Sequence, residues 1–247
     1  MDKYGLIGYP LKHSFSQQFF THKFSTEGID AIYDKYEIPD INQFPHIISS
    51  QPELRGLNVT LPYKEQVMQY LNDLDAEARE IGAVNVIKVH RDKDGIRLVG
   101  YNSDIIGFQK SITPFINNEK HRKALILGTG GASKAIRKGL LNLGIEPVYV
   151  SRTTRDGVYT YNDLNEVLLD EYKVIVNTTP LGTFPNVDEA PDIPYHLLTP
   201  DHLLYDVVYN PAETKFLRQG KEQGATIKNG LEMLELQAIA SWEIWNR

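Results

Sequence analysis

The chain has 247 residues, 41% of them hydrophobic and 23% charged; at about 150 residues per domain that makes one large domain or two modest ones, of ordinary globular composition. Its 26 Lys and Arg against 32 Asp and Glu leave a net charge of -6 with no basic block, which argues against nucleic acid or an anionic membrane as partner. Cysteine is absent, so disulfides, thiolate zinc sites, iron–sulfur clusters and a cysteine nucleophile are excluded.

Tyr4 to Ile7 reads as a first strand. Phe19, Phe20 and Phe24 then recur at helical spacing between Gln17 and Glu27, with Gly28 as a stop. Ala31 to Ile38 and Gly56 to Thr60 read as the second and third strands. A helix is expected next, with Pro62 in its first turn and Val67, Met68, Leu71 and Leu74 as its apolar stripe. Val84 to Val89 and Ile96 to Tyr101 flank the hairpin signal Asp94-Gly95. Asp104 to Ile112 is helical in pattern, and a polar stretch from Asn117 to Lys123 follows.

Ala124 to Leu127 is a short apolar run typical of a buried parallel strand. It opens into Gly128-Thr129-Gly130-Gly131-Ala132-Ser133 and a helix to about Leu143. Glu146 to Ser151, Val174 to Asn177 and Leu203 to Val208 read as further strands, and Lys215 to Gln223 as a helix. The last helix starts near Leu231, with Leu234, Ala238, Trp242 and Trp245 along one side. Such alternation predicts an α/β protein of two lobes, the second a Rossmann-type doubly wound parallel sheet. Residues 1–101, with the final helix 231–247, form the expected first domain, and 102–230 the second. No targeting segment and no apolar run near the roughly 20 residues of a membrane span is visible, so a cytoplasmic protein is expected.

Glycines between a strand and a helix let backbone N–H groups approach a phosphate, and the helix dipole adds to the attraction. Gly128, Gly130 and Gly131 have that context, although Ser133 takes the third glycine position. Read without that function, the loop is a tight strand–helix turn. A site for NAD offers an acidic residue about 20 residues on. Here the second strand ends Ser151-Arg152-Thr153-Thr154-Arg155. Two arginines and several hydroxyls suit a 2′-phosphate, which favours NADP. The competing reading is a solvated basic loop.

Polar residues also cluster in the first lobe. Taken singly, Ser14, Ser16 and Asp104 read as helix caps, Asn85 as a turn residue, Lys64 as a solvated surface group and Gln237 as a half-exposed helix position. Asn58 and Thr60 alternate on one strand.

Taken together they follow a pattern. The matching stretches are residues 8–16, Asn58-Val59-Thr60-Leu61-Pro62-Tyr63-Lys64-Glu65, Gly82-Ala83-Val84-Asn85, residues 100–107 and Gly128 to Ser133. Further on come Ser151-Arg152-Thr153, residues 177–182, Asp206-Val207-Val208-Tyr209-Asn210-Pro211, and residues 230–234 with Gln237. In this order the chain resembles the shikimate dehydrogenase family over almost its whole length.

The resemblance implies NADPH-dependent reduction of 3-dehydroshikimate to shikimate, a step of aromatic amino-acid biosynthesis. It implies a substrate lobe, a Rossmann lobe and a cleft between them. Lys64 matches the family's catalytic lysine, paired with Asp104. Ser14, Ser16, Thr60, Asn85, Asp104, Tyr209 and Gln237 are expected to hold the substrate, with Asn58 assisting. Gly128, Thr129, Gly130, Gly131, Ala132, Ser151, Arg152, Thr153, Arg155, Val207 and Gly230 are expected to line the cofactor site, and no metal is expected.

There are departures. Tyr101 stands where the family often has Asp, Arg155 comes one place early, and the segment from Asp156 to Tyr161 replaces an expected helix. Partners are expected to be the small substrate and cofactor, with the chain a monomer or homodimer. The rival readings are an NAD-using quinate/shikimate dehydrogenase, a non-catalytic sensor of the same fold, and a folate-linked dehydrogenase of similar architecture.

Overall fold

A computed structural model of the chain describes residues 1–11, 14–93 and 95–247. It divides into two compact units, Met1–Ser103 with Gln237–Arg247, and Asp104–Leu236.

In the first unit the elements are β1 (Asp2–Gly8), α1 (Phe15–Glu27), β2 (Ala31–Glu37), α2 (Phe44–Ser50), β3 (Leu54–Val59), β4 (Asp73–Leu74), α3 (Ala76–Ile81), β5 (Val86–Asp92) and β6 (Gly95–Tyr101). The sheet order is β2-β1-β3-β5-β6-β4. β1 runs parallel to both β2 and β3, whereas β3, β5 and β6 are antiparallel neighbours. Local chemistry sets the helix ends. The Ser14 hydroxyl accepts from the Gln17 amide at 3.1 Å at the start of α1, and Gly28, left-handed at φ 65°, ends it. The β5–β6 hairpin forms as the sequence indicates, although Asp94 of its turn signal lies outside the described residues, as do Lys12 and His13 of the first matching stretch.

Alternation along the strands builds two apolar layers. Ile7, Leu57, Val59 and Ile87 face a core shared with Phe44, Ile47 and Val67. Tyr4, Leu6 and Val86 face the opposite core with Phe20, Phe24, Ala238 and Trp245. Asn58, between Leu57 and Val59, points to this second side.

The expected helix from Pro62 to Leu74 is not formed. The chain makes a 3₁₀ turn over Gln66–Tyr70 and then strand β4 beside β6. The Lys64 carbonyl accepts from the Val84 amide at 2.8 Å, so it is taken from the helical ladder. Asn72 exchanges two bonds with Leu98, its amide donating at 2.9 Å and its side-chain oxygen accepting at 2.7 Å, which draws the chain onto the sheet. The apolar stripe still packs inward: Val67 is buried, and Met68, Leu71 and Leu74, partly buried, pack on the same core. Lys64 consequently sits in a turn rather than in a helix.

The second unit holds α4 (Asp104–Ile112), β7 (Lys123–Leu127), α5 (Gly131–Asn142), β8 (Glu146–Ser151), β9 (Val158–Thr160), α6 (Glu166–Glu171), β10 (Val174–Asn177), β11 (Leu203–Asp206), α7 (Lys215–Glu222) and β12 (Thr226–Lys228). All pairs in the sheet β12-β11-β10-β7-β8-β9 are parallel. Leu125, Leu127, Ile175 and Leu204 meet α6 and α7 on one face. Ala124, Ile126, Val174, Val176 and Leu203 meet α4, α5 and Met233 on the other. Strands covered on both faces explain the continuous apolar runs of the sequence. α8 (Leu231–Trp245) closes the chain, and the units divide within it, at Leu236/Gln237.

Candidate functional site

In the first unit, buried polar side chains link up behind the carboxyl end of β3. The Tyr33 hydroxyl donates to Asn58 Oδ1 at 2.7 Å. Asn58 Nδ2 donates to Ser241 Oγ at 2.9 Å and to the Asn85 carbonyl at 3.3 Å. Ser241 Oγ lies 3.3 Å from Ser103 Oγ and donates to the Gln237 carbonyl at 2.8 Å. Asn85 Oδ1 accepts from the Ser103 amide at 2.7 Å, and Nδ2 reaches Ser103 Oγ at 3.1 Å and Gln237 Oε1 at 3.5 Å. Ser16 stands beside the Tyr33 hydroxyl; burial pushes that phenol's pKa up, with Ser16 acting the other way. Four expected residues, Ser16, Asn58, Asn85 and Gln237, thus lie along one connected path.

Three more are placed individually. Ser14 caps α1. Thr60 follows β3, its amide donating to the Ile7 carbonyl at 2.9 Å. Lys64 is half-buried, its backbone held by Val84. Asp104 and Tyr209 belong to the other unit, Asp104 buried at the start of α4 and Tyr209 exposed beyond β11.

In the second unit the turn after β7 opens onto a cavity of about 610 Å³. Of the expected cofactor residues, Gly128, Thr129, Gly130, Ser151 and Arg152 line it. Gly128 has φ 101°, and a Cβ there would come within 2.9 Å of Thr179 Cγ2, so glycine is required twice over. Ser133 takes the third glycine position, and its hydroxyl donates to the Gly130 carbonyl at 2.6 Å within the turn. Gly130 precedes α5 as its cap position and makes no side-chain cap bond, which suits a helix whose first turn receives an anion. Gly131, Ala132, Thr153, Arg155, Val207 and Gly230 are not among the residues lining the cavity.

The sequence reading assigned no role to Tyr161, Thr178, Thr179 or Asp192, which also line it. The signal for the threonines was position: they follow the carboxyl end of a central strand, where such sheets bind ligands. They are held by a buried cluster. Asn177 Oδ1 accepts from the Thr179 amide at 3.0 Å and hydroxyl at 2.6 Å. Asn177 Nδ2 donates to Asp206 at 3.0 Å, and Asp206 also accepts from Thr214 Oγ1 at 2.6 Å and the Val208 amide at 3.0 Å. Burial pushes the Asp206 carboxyl up to about 6 against the pull of these three donors. The same cluster sets Val207, whose amide donates to the Asn177 carbonyl. Gly230 packs on Val207 so closely that any Cβ would overlap the Val207 carbonyl.

A two-unit α/β chain with this parallel sheet, glycine turn and arginine-bearing cavity has the build of a Rossmann-type nucleotide-binding protein. Residues 6–87 match the family model described as the shikimate dehydrogenase substrate binding domain. The chain is 34% identical to the shikimate dehydrogenase (NADP(+)) of Caldicellulosiruptor saccharolyticus, over 99% of this chain and 92% of that protein. Its fold matches the chorismate mutase/shikimate 5-dehydrogenase fusion protein of Clostridium acetobutylicum with a TM-score of 0.86, at 35% identity over 100% of this chain and 91% of that one. It also matches the Thermus thermophilus shikimate 5-dehydrogenase in complex with NADP(H) and shikimate, with a TM-score of 0.83, at 28% identity over 99% and 93% of the two chains. The chain belongs to the shikimate dehydrogenase family.

Proposed function

We propose that the protein catalyses the reversible NADPH-dependent reduction of 3-dehydroshikimate to shikimate. What carries the reading is the glycine turn and Arg152 on one cavity, in a chain matching NADP(+) shikimate dehydrogenases over nearly its full length. The residues present fit the dinucleotide. Gly128 to Gly131 and the start of α5 suit its pyrophosphate, and Arg152 with Ser151 suits a 2′-phosphate. The resemblance adds Val207 and Gly230, which pack against each other outside that cavity lining. When bound, NADPH supplies the hydride.

The first unit holds the substrate and the second the cofactor. Lys64 would meet the negative charge that grows on the carbonyl oxygen, and the resemblance assigns Asp104 to the same reaction. Ser14, Ser16, Thr60, Asn85, Tyr209 and Gln237 offer donors and acceptors to the hydroxyls and carboxylate of the substrate. A site built for hydroxyls rejects analogues that lack them, because each buried group left unpaired costs about 1–3 kcal/mol.

The test is the absorbance of reduced nicotinamide, with shikimate and NADP, then with NAD and with quinate. Lys64→Ala is expected to cut turnover at least ~100-fold while NADP binding holds, since general acid catalysis contributes about 10²–10⁴-fold. Unchanged turnover removes Lys64 from the mechanism. Shikimate binding without turnover of any pair refutes the enzyme reading.

A further inference from the structure

The strand register brings forward a residue that no motif assigned. β8 and β9 are parallel, with Ser151 opposite Thr160. The next residues, Arg152 and Tyr161, therefore emerge side by side beyond the carboxyl ends of neighbouring strands. Only residues 152–157 join the two strands, where a parallel crossover usually takes a dozen or more residues and a helix. Both Arg152 and Tyr161 line the cavity that opens at the glycine turn.

Tyr161 is held firmly. It starts a 3₁₀ turn in which the Asp163 carboxylate accepts from the Thr160 amide and hydroxyl, each at 2.7 Å. Its ring packs on the core beneath the sheet. Burial raises the pKa of the phenol, so it keeps its proton at neutral pH and can donate. The positive charge of Arg152 reaches the same hydroxyl and acts the other way.

A 2′-phosphate beyond the second strand of such a sheet needs positive charge and several donors. Arg152 supplies a fork, but Arg155 is not among the residues lining the cavity, and Asp192 adds a negative charge to its wall. Ser151 adds a hydroxyl on one side of Arg152, and Tyr161, from the neighbouring strand, is a second neutral donor on the same cavity wall.

We propose that Tyr161 determines cofactor specificity: its hydroxyl, beside Arg152, donates to the 2′-phosphate and so favours the phosphorylated dinucleotide. The inference rests on the cavity being the NADP site. It locates part of the specificity in the shortened β8–β9 connection, which brings β9 directly after the arginine loop.

The test is calorimetric binding of adenosine 2′,5′-bisphosphate, 5′-AMP, NADP and NAD to the full chain, compared with Tyr161→Phe and Arg152→Ala. Tyr161→Phe keeps the ring and so its packing, and circular dichroism checks its fold. It should weaken adenosine 2′,5′-bisphosphate and NADP roughly 10-fold, the usual worth of a hydrogen bond to a charged group, and leave 5′-AMP and NAD unchanged. Equal weakening of all four ligands would mean a packing role only and overturn the proposal. A loss with Arg152→Ala but none with Tyr161→Phe also overturns it, while the NADP site stands. If neither variant changes any affinity, the NADP reading of this cavity falls and the proposal with it.

Discussion

Asn85→Ala tests whether the polar path of the first unit is structural as well as functional. Asn85 is 4% exposed and Ser103 0%. The substitution removes the acceptor 2.7 Å from the Ser103 amide, the shortest bond Asn85 makes to it. That amide is then buried without this partner, at a cost of about 1–3 kcal/mol. The bonds from Nδ2 are longer, 3.1 and 3.5 Å, and a small void adds to the loss, giving roughly 2–4 kcal/mol in all. For a chain of this size that lowers the thermal midpoint by about 5–15 °C. The assay is urea unfolding followed by tryptophan fluorescence. Both tryptophans, Trp242 and Trp245, lie in the first unit, so the signal reports that unit alone. Gln237 loses a fixing contact at the same time, so KM for shikimate should rise. A stability loss under about 0.5 kcal/mol would refute the accounting, because an orphaned buried amide costs more than that.

Two further predictions follow from the second unit. Gly230→Ala forces the Val207 backbone to move; it should lower the thermal midpoint by the equivalent of about 1–3 kcal/mol and weaken NADP binding in calorimetry, and an unchanged midpoint would contradict the packing described. Both His202 and His121 accept a backbone amide at Nδ1, from Thr199 at 2.9 Å and Asn117 at 3.0 Å, and burial lowers the pKa of each. The unfolded state, with histidine near pH 6.5, therefore takes up protons first, and stability is full above about 6.5 and lost as pH falls below it. Asp206, raised to about 6, has the opposite sign and gains stability as pH falls through 6. The difference in unfolding free energy between the parent and His202→Gln should therefore shrink from pH 7 to pH 5, and a constant difference would show that His202 does not titrate on unfolding.

Legibility in the sequence followed the range of the interactions. β7, β10 and β11 are buried on both faces, and their apolar runs show it directly. α1 was marked by Ser14 and Gly28, whose bonds are local. Between Pro62 and Leu74 the apolar stripe packs on the core, but the backbone bonds of this stretch go to Val84 and Leu98, far along the chain, and not into the expected helix. No local pattern reports such partners. The short helices α2 and α3 and the strands β9 and β12 gave too few residues for a period to show. Ser241 escaped for another reason: a lone serine within a helix looks neutral, and its role comes from Asn58, 183 residues away.

Hydrogen-bond capacity separates the residues that can touch a ligand from those that support them. Ser14 Oγ accepts from the Gln17 amide, yet a hydroxyl has two lone pairs and a proton. The proton is still there to give, so capping α1 and binding substrate are compatible roles. Asn58 differs. Its two Nδ2 protons go to Ser241 and to the Asn85 carbonyl, and its oxygen accepts from Tyr33. One acceptor lone pair is all that remains for a ligand. Asn58 therefore acts chiefly as a positioning residue, fixing the Asn85 backbone and the helix that carries Gln237. Replacing it should disturb Asn85 and Gln237 together, where loss of Ser14 removes a cap and, on the proposed function, a single substrate contact.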